Sequence, residues 1–203
     1  MYVMGHVHSS SKLSNDGDIS NNNPDNSKSS SKLKSCIDTF DEVNLNDLSS
    51  TQKCLISESW TIIRNDIERM GSIMFLELFA HNVDFQDAFS IFKGRHMEDI
   101  KSDSRLASHG IRVMSIVDKV VSRINESEKA ARVLFELGQR HCAYDVDEKF
   151  IPVLGRQFLI TIKPTLDTNN LWTEELEKAW TIIVIFICQK MTEGIRTNKQ
   201  VNN

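Results

Sequence analysis

The stretch SDSRLASHGIRVMSIVDKVVSRI, residues 102–124, repeats its apolar residues with the spacing of one helical face. The residues of this inward stripe are Leu106, His109, Val113, Ile116, Val117 and Val120. A histidine that faces a protein core carries a desolvation cost unless its ring nitrogens are satisfied. The pattern therefore predicts a long helix that presents an imidazole to the interior.

A second histidine occupies the same kind of position. Residues 128–143 form another predicted helix, with Leu134, Leu137 and His141 on one face. Either histidine alone is more typical of a hydrogen-bonded core residue than of a metal ligand. Together they suggest an apolar slot with one nitrogen donor on each wall, whose sides Phe75 and Phe89 can close. Periodicity leaves open whether the two helices face each other.

The other segments are helical as well, and almost none alternates with the period of a strand. Ser49 and Gln52 form a predicted capping box at the start of the first helix, and Thr173 is the predicted N-cap of the last. Further helices are predicted at about 66–80 and 148–163, with an irregular, phenylalanine-rich region at 83–94. These features predict an all-α fold.

Composition divides the chain into three parts. Residues 1–44 are rich in Ser and Asn and poor in large apolar side chains, so we expect a disordered extension. A folded domain is predicted at 45–196, and a short polar tail at 197–203.

Charge and hydropathy exclude several classes of function. The net charge is −4 and the basic residues are mixed with acidic ones, which argues against a nucleic-acid partner. The longest apolar run, 182–188, is far shorter than the roughly 20 residues of a transmembrane helix. The N-terminus lacks the pattern of a signal peptide, so we expect a cytoplasmic protein whose four cysteines, Cys142 among them, are free thiols.

The two histidines favour haem over zinc. Zinc needs three or four ligands, and no Cys or Glu lies at a suitable helical spacing from His109 or His141. Haem needs one imidazole for its iron and apolar walls that exclude water. The slot described above supplies both.

Several motifs, in order along the chain, make residues 48–194 resemble a globin, most closely the neuroglobin-like and nematode types. They are Trp60, the pocket residue Phe75, the corner Phe89-Ser90-Ile91-Phe92, the segments 108–113 and 137–141, the porphyrin-lining positions Val146, Ile151 and Leu154, and the start of the last helix at 172–176. The chain departs from the pattern at Val83, where many globins have proline.

The resemblance implies a globin fold of about eight helices around a pocket for haem b (iron protoporphyrin IX). His141 is the implied proximal iron ligand, with Leu137 under the porphyrin, and His109 is the implied distal residue, with Val113 over the iron. Arg112 has three interpretations that stay open: a contact to a haem propionate, a position over the pocket, or a solvent-facing position. The implied ligand is oxygen or another diatomic gas.

Three functions remain open at this point. The first is reversible oxygen binding for storage, supply or sensing, with His109 as a hydrogen-bond donor. The second is a redox or sensing role in which His109 is a sixth iron ligand. The third is nitric oxide dioxygenase or nitrite reductase activity. Because the sequence contains no reductase domain or flavin motif, we expect a binding protein rather than an enzyme.

Overall fold

The computed structural model describes residues 42–201. Residues 1–41, and with them nearly all of the predicted extension and Cys36, lie outside the described residues, as do 202 and 203. Within residues 42–201 a 3-10 turn at Leu45–Asp47 precedes eight α-helices, and there are no strands. The helices are α1 (Ser50–Arg64), α2 (Ile67–His81), α3 (Val83–Asp87), α4 (Met97–Lys101), α5 (Ser104–Val121), α6 (Ser127–Cys142), α7 (Phe150–Thr168) and α8 (Glu174–Val201). The prediction of an all-α fold with about eight helices is confirmed.

Helix starts follow the predicted capping chemistry. The Ser49 hydroxyl accepts from the Gln52 amide, and the Gln52 side chain accepts from the Ser49 amide, which completes the capping box of α1. The Thr173 hydroxyl accepts from the Leu176 amide at the start of α8. Each bond satisfies a backbone N–H that has no partner within its own helix.

Three helix boundaries differ from the sequence-based prediction. The region 83–94 was predicted to be irregular, yet the short helix α3 begins it, and a second short helix, α4, follows. The predicted end at 163 is wrong, because α7 continues through Pro164 to Thr168. A proline costs the helix one backbone bond, but Ile162 and Leu166 flank it fully buried. Helix α8 runs on to Val201, beyond the predicted domain boundary at 196.

Glycines let two pairs of helices approach at backbone distance. At the crossing of α2 and α5, a Cβ added to Gly110 would lie 2.8 Å from the carbonyl carbon of Gly71. At the crossing of α6 and α8, a Cβ on Gly138 would lie 2.1 Å from the Met191 oxygen, and one on Gly194 would lie 2.1 Å from the Phe135 oxygen. Each crossing adjoins a predicted site histidine, since Gly110 follows His109 directly and Gly138 precedes His141 by three residues.

The core is continuous and is centred on Trp180. Its ring is fully buried between Trp60 and Phe158, with ring centroids 6.0 and 5.5 Å away, and its Nε1 donates to the Ser59 hydroxyl at 3.1 Å. Helix α7 packs against both α2 and α8 and so connects the two glycine-crossed pairs. No helix among residues 42–201 is both long enough and apolar enough to cross a membrane.

Candidate functional site

His109 lies in an aromatic corner. Helix α5 carries it towards α2, where its ring centroid is 5.0 Å from that of Phe75. Phe89, in the connection after α3, contacts the imidazole edge-on at 5.3 Å. The glycine crossing explains this placement, because Gly71 lies one helical turn before Phe75 and brings the two backbones together beside His109.

His141 lies near the C-terminal end of α6, with its ring held in one orientation. Its Nδ1 lies 2.8 Å from the carbonyl oxygen of Leu137, one turn earlier. A carbonyl only accepts a hydrogen bond, so this contact fixes the proton on Nδ1 and leaves Nε2 with a free lone pair. A metal-binding histidine in proteins is oriented by this kind of second hydrogen bond.

The two imidazoles interact electrostatically. Burial, together with the smaller effects of the nearby charges of His141 and Arg112, lowers the pKa of His109 from 6.5 to about 4. His109 is therefore neutral at pH 7 and keeps a lone pair available. The effect of His141 on the pKa of His109 also indicates that α5 and α6 bring the two rings to the same part of the molecule.

The lowered pKa of His109 predicts how the stability of the haem-free protein depends on pH. Because the folded-state pKa of about 4 lies below the ordinary 6.5, the unfolded chain binds the proton more readily. This contribution to stability is complete above about pH 6.5 and is lost as the pH falls towards 4. We expect the free energy of unfolding to fall over this window by on the order of 1–3 kcal/mol.

Urea unfolding at a series of pH values checks this prediction, with His109→Leu as the reference. The stability of the wild type should decrease more steeply than that of the variant between pH 6.5 and pH 4. Parallel curves for the two proteins would show that His109 does not titrate as its burial requires.

The other predicted site residues lie in three settings. Phe92 is buried one layer behind the histidine and packs on Phe79 and Phe89, with centroids 5.8 and 6.1 Å away. Half-buried apolar side chains that pack against the core are Val113, Leu137 and Leu154. Near the α6–α7 connection, the Val146 amide donates to the His141 carbonyl.

Ile151 and Arg112, two further predicted site residues, lie in opposite environments. Ile151 is buried, and its carbonyl oxygen accepts from the Cys188 thiol of α8. Arg112 is exposed, which agrees with a solvent-facing position, yet its charge acts on His109. Among the described residues Cys54, Cys142 and Cys188 are free, as predicted for them.

Sequence reasoning missed three residues that build this corner. Phe79 is fully buried among Phe75, Phe85, Phe89 and Phe92. Phe150, at the start of α7, contacts Phe85 edge-on at 5.1 Å. The third residue is Gln86 of α3, whose buried side chain gave no sequence signal, because it lies between polar and aromatic neighbours. Only the five phenylalanines between residues 75 and 92 hinted at the aromatic network.

The arrangement fits a planar apolar cofactor held by imidazole better than it fits a bare metal ion. Residues 42–200 contain no cluster of three or more His, Cys, Asp or Glu side chains that would hold an ion. The candidate donors are instead two imidazoles. The His141 ring is hydrogen-bonded to a backbone carbonyl, and the His109 ring packs against Phe75 and Phe89. Imidazole is one of the side-chain donors that bind haem iron in proteins.

Comparison with known proteins agrees with the fold. The sequence model of the family named Globin matches residues 73–191. Cytoglobin-1 of Oryzias latipes is 26% identical over 145 residues, covering 70% of this chain and 80% of that protein. Neuroglobin of Danio rerio is 24% identical over 152 residues, covering 74% of this chain and 94% of that protein.

Two solved structures share the fold. One is a hexacoordinated haem protein from an anhydrobiotic tardigrade at pH 4, with a TM-score of 0.68, 21% identity, and coverage of 73% of this chain and 96% of that one. The other is the neuroglobin of the acoel Symsagittifera roscoffensis, with a TM-score of 0.63, 20% identity, and coverage of 72% and 98%.

Proposed function

Because the chain belongs to the globin family, we propose that it holds haem b between His141 and His109 and reversibly binds oxygen or another diatomic ligand there. The family implies haem binding. The observation that carries the proposal is the pairing of His141, oriented by the Leu137 carbonyl, with a neutral His109 in an aromatic corner. Non-covalent haem b is favoured because the sequence has no Cys-x-x-Cys-His motif for covalent attachment.

Each residue contributes a distinct property. His141 and His109 would hold haem, which would supply an iron able to bind a diatomic ligand. His141 offers Nε2 as the permanent ligand, because its Nδ1 proton is directed at Leu137. Phe75 and Phe89 exclude water around His109, which keeps that ring neutral and able to donate or accept a hydrogen bond.

A second candidate, bis-histidine coordination, is favoured by the same neutral His109. A ring that stays unprotonated at pH 7 and interacts with His141 is suited to bind the iron directly. Such a site opens only when His109 moves away, which lowers the apparent affinity for an external ligand by the fraction of open molecules. One protein of similar fold is described as hexacoordinated, which supports this candidate.

Absorption spectra of the full chain loaded with haem test both candidates. The ferric and dithionite-reduced forms are recorded without added ligand. Sharp, split visible bands in the reduced form would mean that His109 and His141 both bind iron. One broad visible band would mean an open sixth position and would favour oxygen binding. Absence of any haem band in the folded protein would overturn the proposal.

Replacement of the distal ring separates the candidates further. If His109 is a sixth ligand that closes the site in 99% of molecules, His109→Leu should raise the apparent affinity for carbon monoxide about 100-fold. If His109 only donates a hydrogen bond, the same variant should instead weaken oxygen binding by about 10-fold. Equilibrium titration with each gas measures the two effects.

His81→Leu is the control for this variant, because His81 is exposed at the end of α2 and should leave both affinities unchanged. A His109→Leu protein whose spectrum and gas affinities equal those of the wild type would contradict both roles for His109.

The proposed role is ligand binding rather than catalysis, in a cytoplasmic setting and without a nucleic-acid partner. The mixed charge and a pI near 5.9 support the absence of a nucleic-acid partner. Addition of nitric oxide or nitrite with a reductant tests the ligand-binding role, because a binding protein reacts once per haem, whereas sustained consumption would make the chain an enzyme.

A further inference from the structure

Asp103 caps the helix that carries His109 and is the centre of an ionic cluster. The carboxylate is only 9% exposed and accepts four hydrogen bonds. Three come from Arg105, through its backbone amide, Nε and a terminal nitrogen, at 3.0, 2.9 and 2.6 Å. The fourth comes from Arg95, at 2.6 Å. The two arginines hold the pKa of Asp103 well below its usual range.

Arg95 is the cross-link in this cluster. It belongs to the connection between α3 and α4, and its guanidinium also donates to the backbone oxygens of Ile91 and Asp99 and lies over the Phe92 ring, 5.9 Å from the centroid. It therefore ties one loop to the first turn of α5.

The loop end of this cross-link is itself fixed. The buried Gln86 side chain donates to the carbonyl oxygens of Phe92 and Arg95, at 2.8 and 2.9 Å. Buried amide donors with both bonds made rigidify a segment, because leaving either bond unmade is costly. The loop that carries Phe89 and Phe92 is thus anchored to α3 at one end and to α5 at the other.

Arg105 acts only locally. It lies two residues after Asp103 on the same helix, and its bonds to the carboxylate close a loop within the first turn of α5. Removing either arginine takes away one positive partner of Asp103, but only the loss of Arg95 removes an ion pair between α5 and the loop.

We propose that Arg95 is a positioning residue for His109, which sets through Asp103 how readily the distal imidazole approaches or leaves the iron. The inference rests on the proposed haem site. His109 lies six residues after Asp103 on α5, a rise of about 9 Å, so a shift of the helix start is passed along a rigid element. The loop end of the same link carries Phe89, which contacts the imidazole.

Two routes thus run from Arg95 to His109. One passes along the backbone of α5, and the other through the Phe92 and Phe89 rings. Both set the position of the imidazole relative to its aromatic walls. We assign Arg95 no direct role in binding the iron or its ligand, and the expected effect of the residue is a change in the balance between open and closed distal positions.

The full chain with haem, as wild type, Arg95→Gln and Arg105→Gln, tests the inference. We expect Arg95→Gln to change the ratio of six-coordinate to five-coordinate haem, and the rate of carbon monoxide rebinding after photolysis, by about 2- to 5-fold. Arg105→Gln should change neither by more than the measurement error. Arg95→Lys should recover part of the wild-type value, because it keeps the charge without the planar fork.

Amide hydrogen exchange in the haem-free chain gives a second readout. Arg95→Gln should accelerate exchange both in residues 88–96 and at the start of α5, whereas Arg105→Gln should affect only the start of α5. Equal effects of the two variants on haem coordination would overturn the inference, since Asp103 would then act only as a helix cap. No effect of Arg95→Gln would overturn it as well.

A failure of the proposed function would give a different experimental result from a failure of the positioning role of Arg95. If the wild-type chain takes up no haem, the proposed function fails and the inference with it. If haem binds normally and the arginine variants behave alike, only the positioning role of Arg95 fails.

Discussion

His141→Gly should lower the affinity of the protein for haem by about 100-fold or more, since even outer-sphere changes at metal sites cost 10- to 100-fold. The variant removes the imidazole whose Nε2 is left free by the bond from Nδ1 to the Leu137 carbonyl. Added imidazole should enter the space and restore a wild-type-like spectrum. Transfer of haem to an excess of a high-affinity acceptor protein, followed by absorbance, measures the loss.

His81→Gly is a closely matched control. His81 also lies at the C-terminal end of a helix, and its Nδ1 makes the same contact one turn back, 2.7 Å from the Glu77 carbonyl. It differs from His141 in being exposed at the surface. We expect His81→Gly to retain haem, so equal haem loss from the two variants would show that helix weakening, rather than iron ligation, explains the result.

Gly138→Ala should destabilise the protein by about 3 kcal/mol, at the upper end of what overpacking costs. The added methyl group would lie 2.1 Å from the Met191 carbonyl oxygen, 2.9 Å from its carbonyl carbon and 3.1 Å from its Cα. These are backbone atoms of α8, so they move only if the whole helix moves. The gain in helix propensity, about 1 kcal/mol, offsets only part of the strain.

Gly155→Ala provides the comparison. A Cβ there would meet the Cys188 Sγ at 2.7 Å and the Val184 Cγ1 at 2.8 Å, both of them ends of side chains that can adjust. We expect a change of no more than about 1 kcal/mol. Urea denaturation of both variants measures the difference, and a Gly138→Ala protein as stable as Gly155→Ala would mean that the α6–α8 crossing is looser than the structure shows.

Apolar spacing and capping residues were sufficient to predict most of the helices from the sequence. The apolar periods located every long helix, and capping residues such as Ser49 and Thr173 located their starts. The predicted position of the end of α7 was wrong for a physical reason. Pro164 breaks a helix by its own local preference, yet Ile162 and Leu166 gain enough burial on either side to carry the helix across it.

The geometry of the site required tertiary information. The period of α5 and α6 predicted that His109 and His141 face inward, but the period alone does not say which helices meet. The lowered pKa of His109 depends on burial and on the charges of His141 and Arg112, which reach it only in the folded chain. The bond from Arg95 to Asp103 joins residues whose sequence neighbourhood is that of an ordinary surface loop.

The glycine crossings join four helices around the candidate site into two closely packed pairs. The first pair is α2 and α5, which approach closely at Gly71 and Gly110. The second pair is α6 and α8, which approach closely at Gly138 and Gly194. Each pair carries one of the two histidines. Helix α7 packs on both α2 and α8 and so joins the two pairs. We therefore expect substitutions of the fully buried Ile162 or Leu166 in α7 to alter how the two helix pairs pack relative to each other. The geometry of the proposed haem site therefore depends on packing residues of α7 as well as on the two histidines.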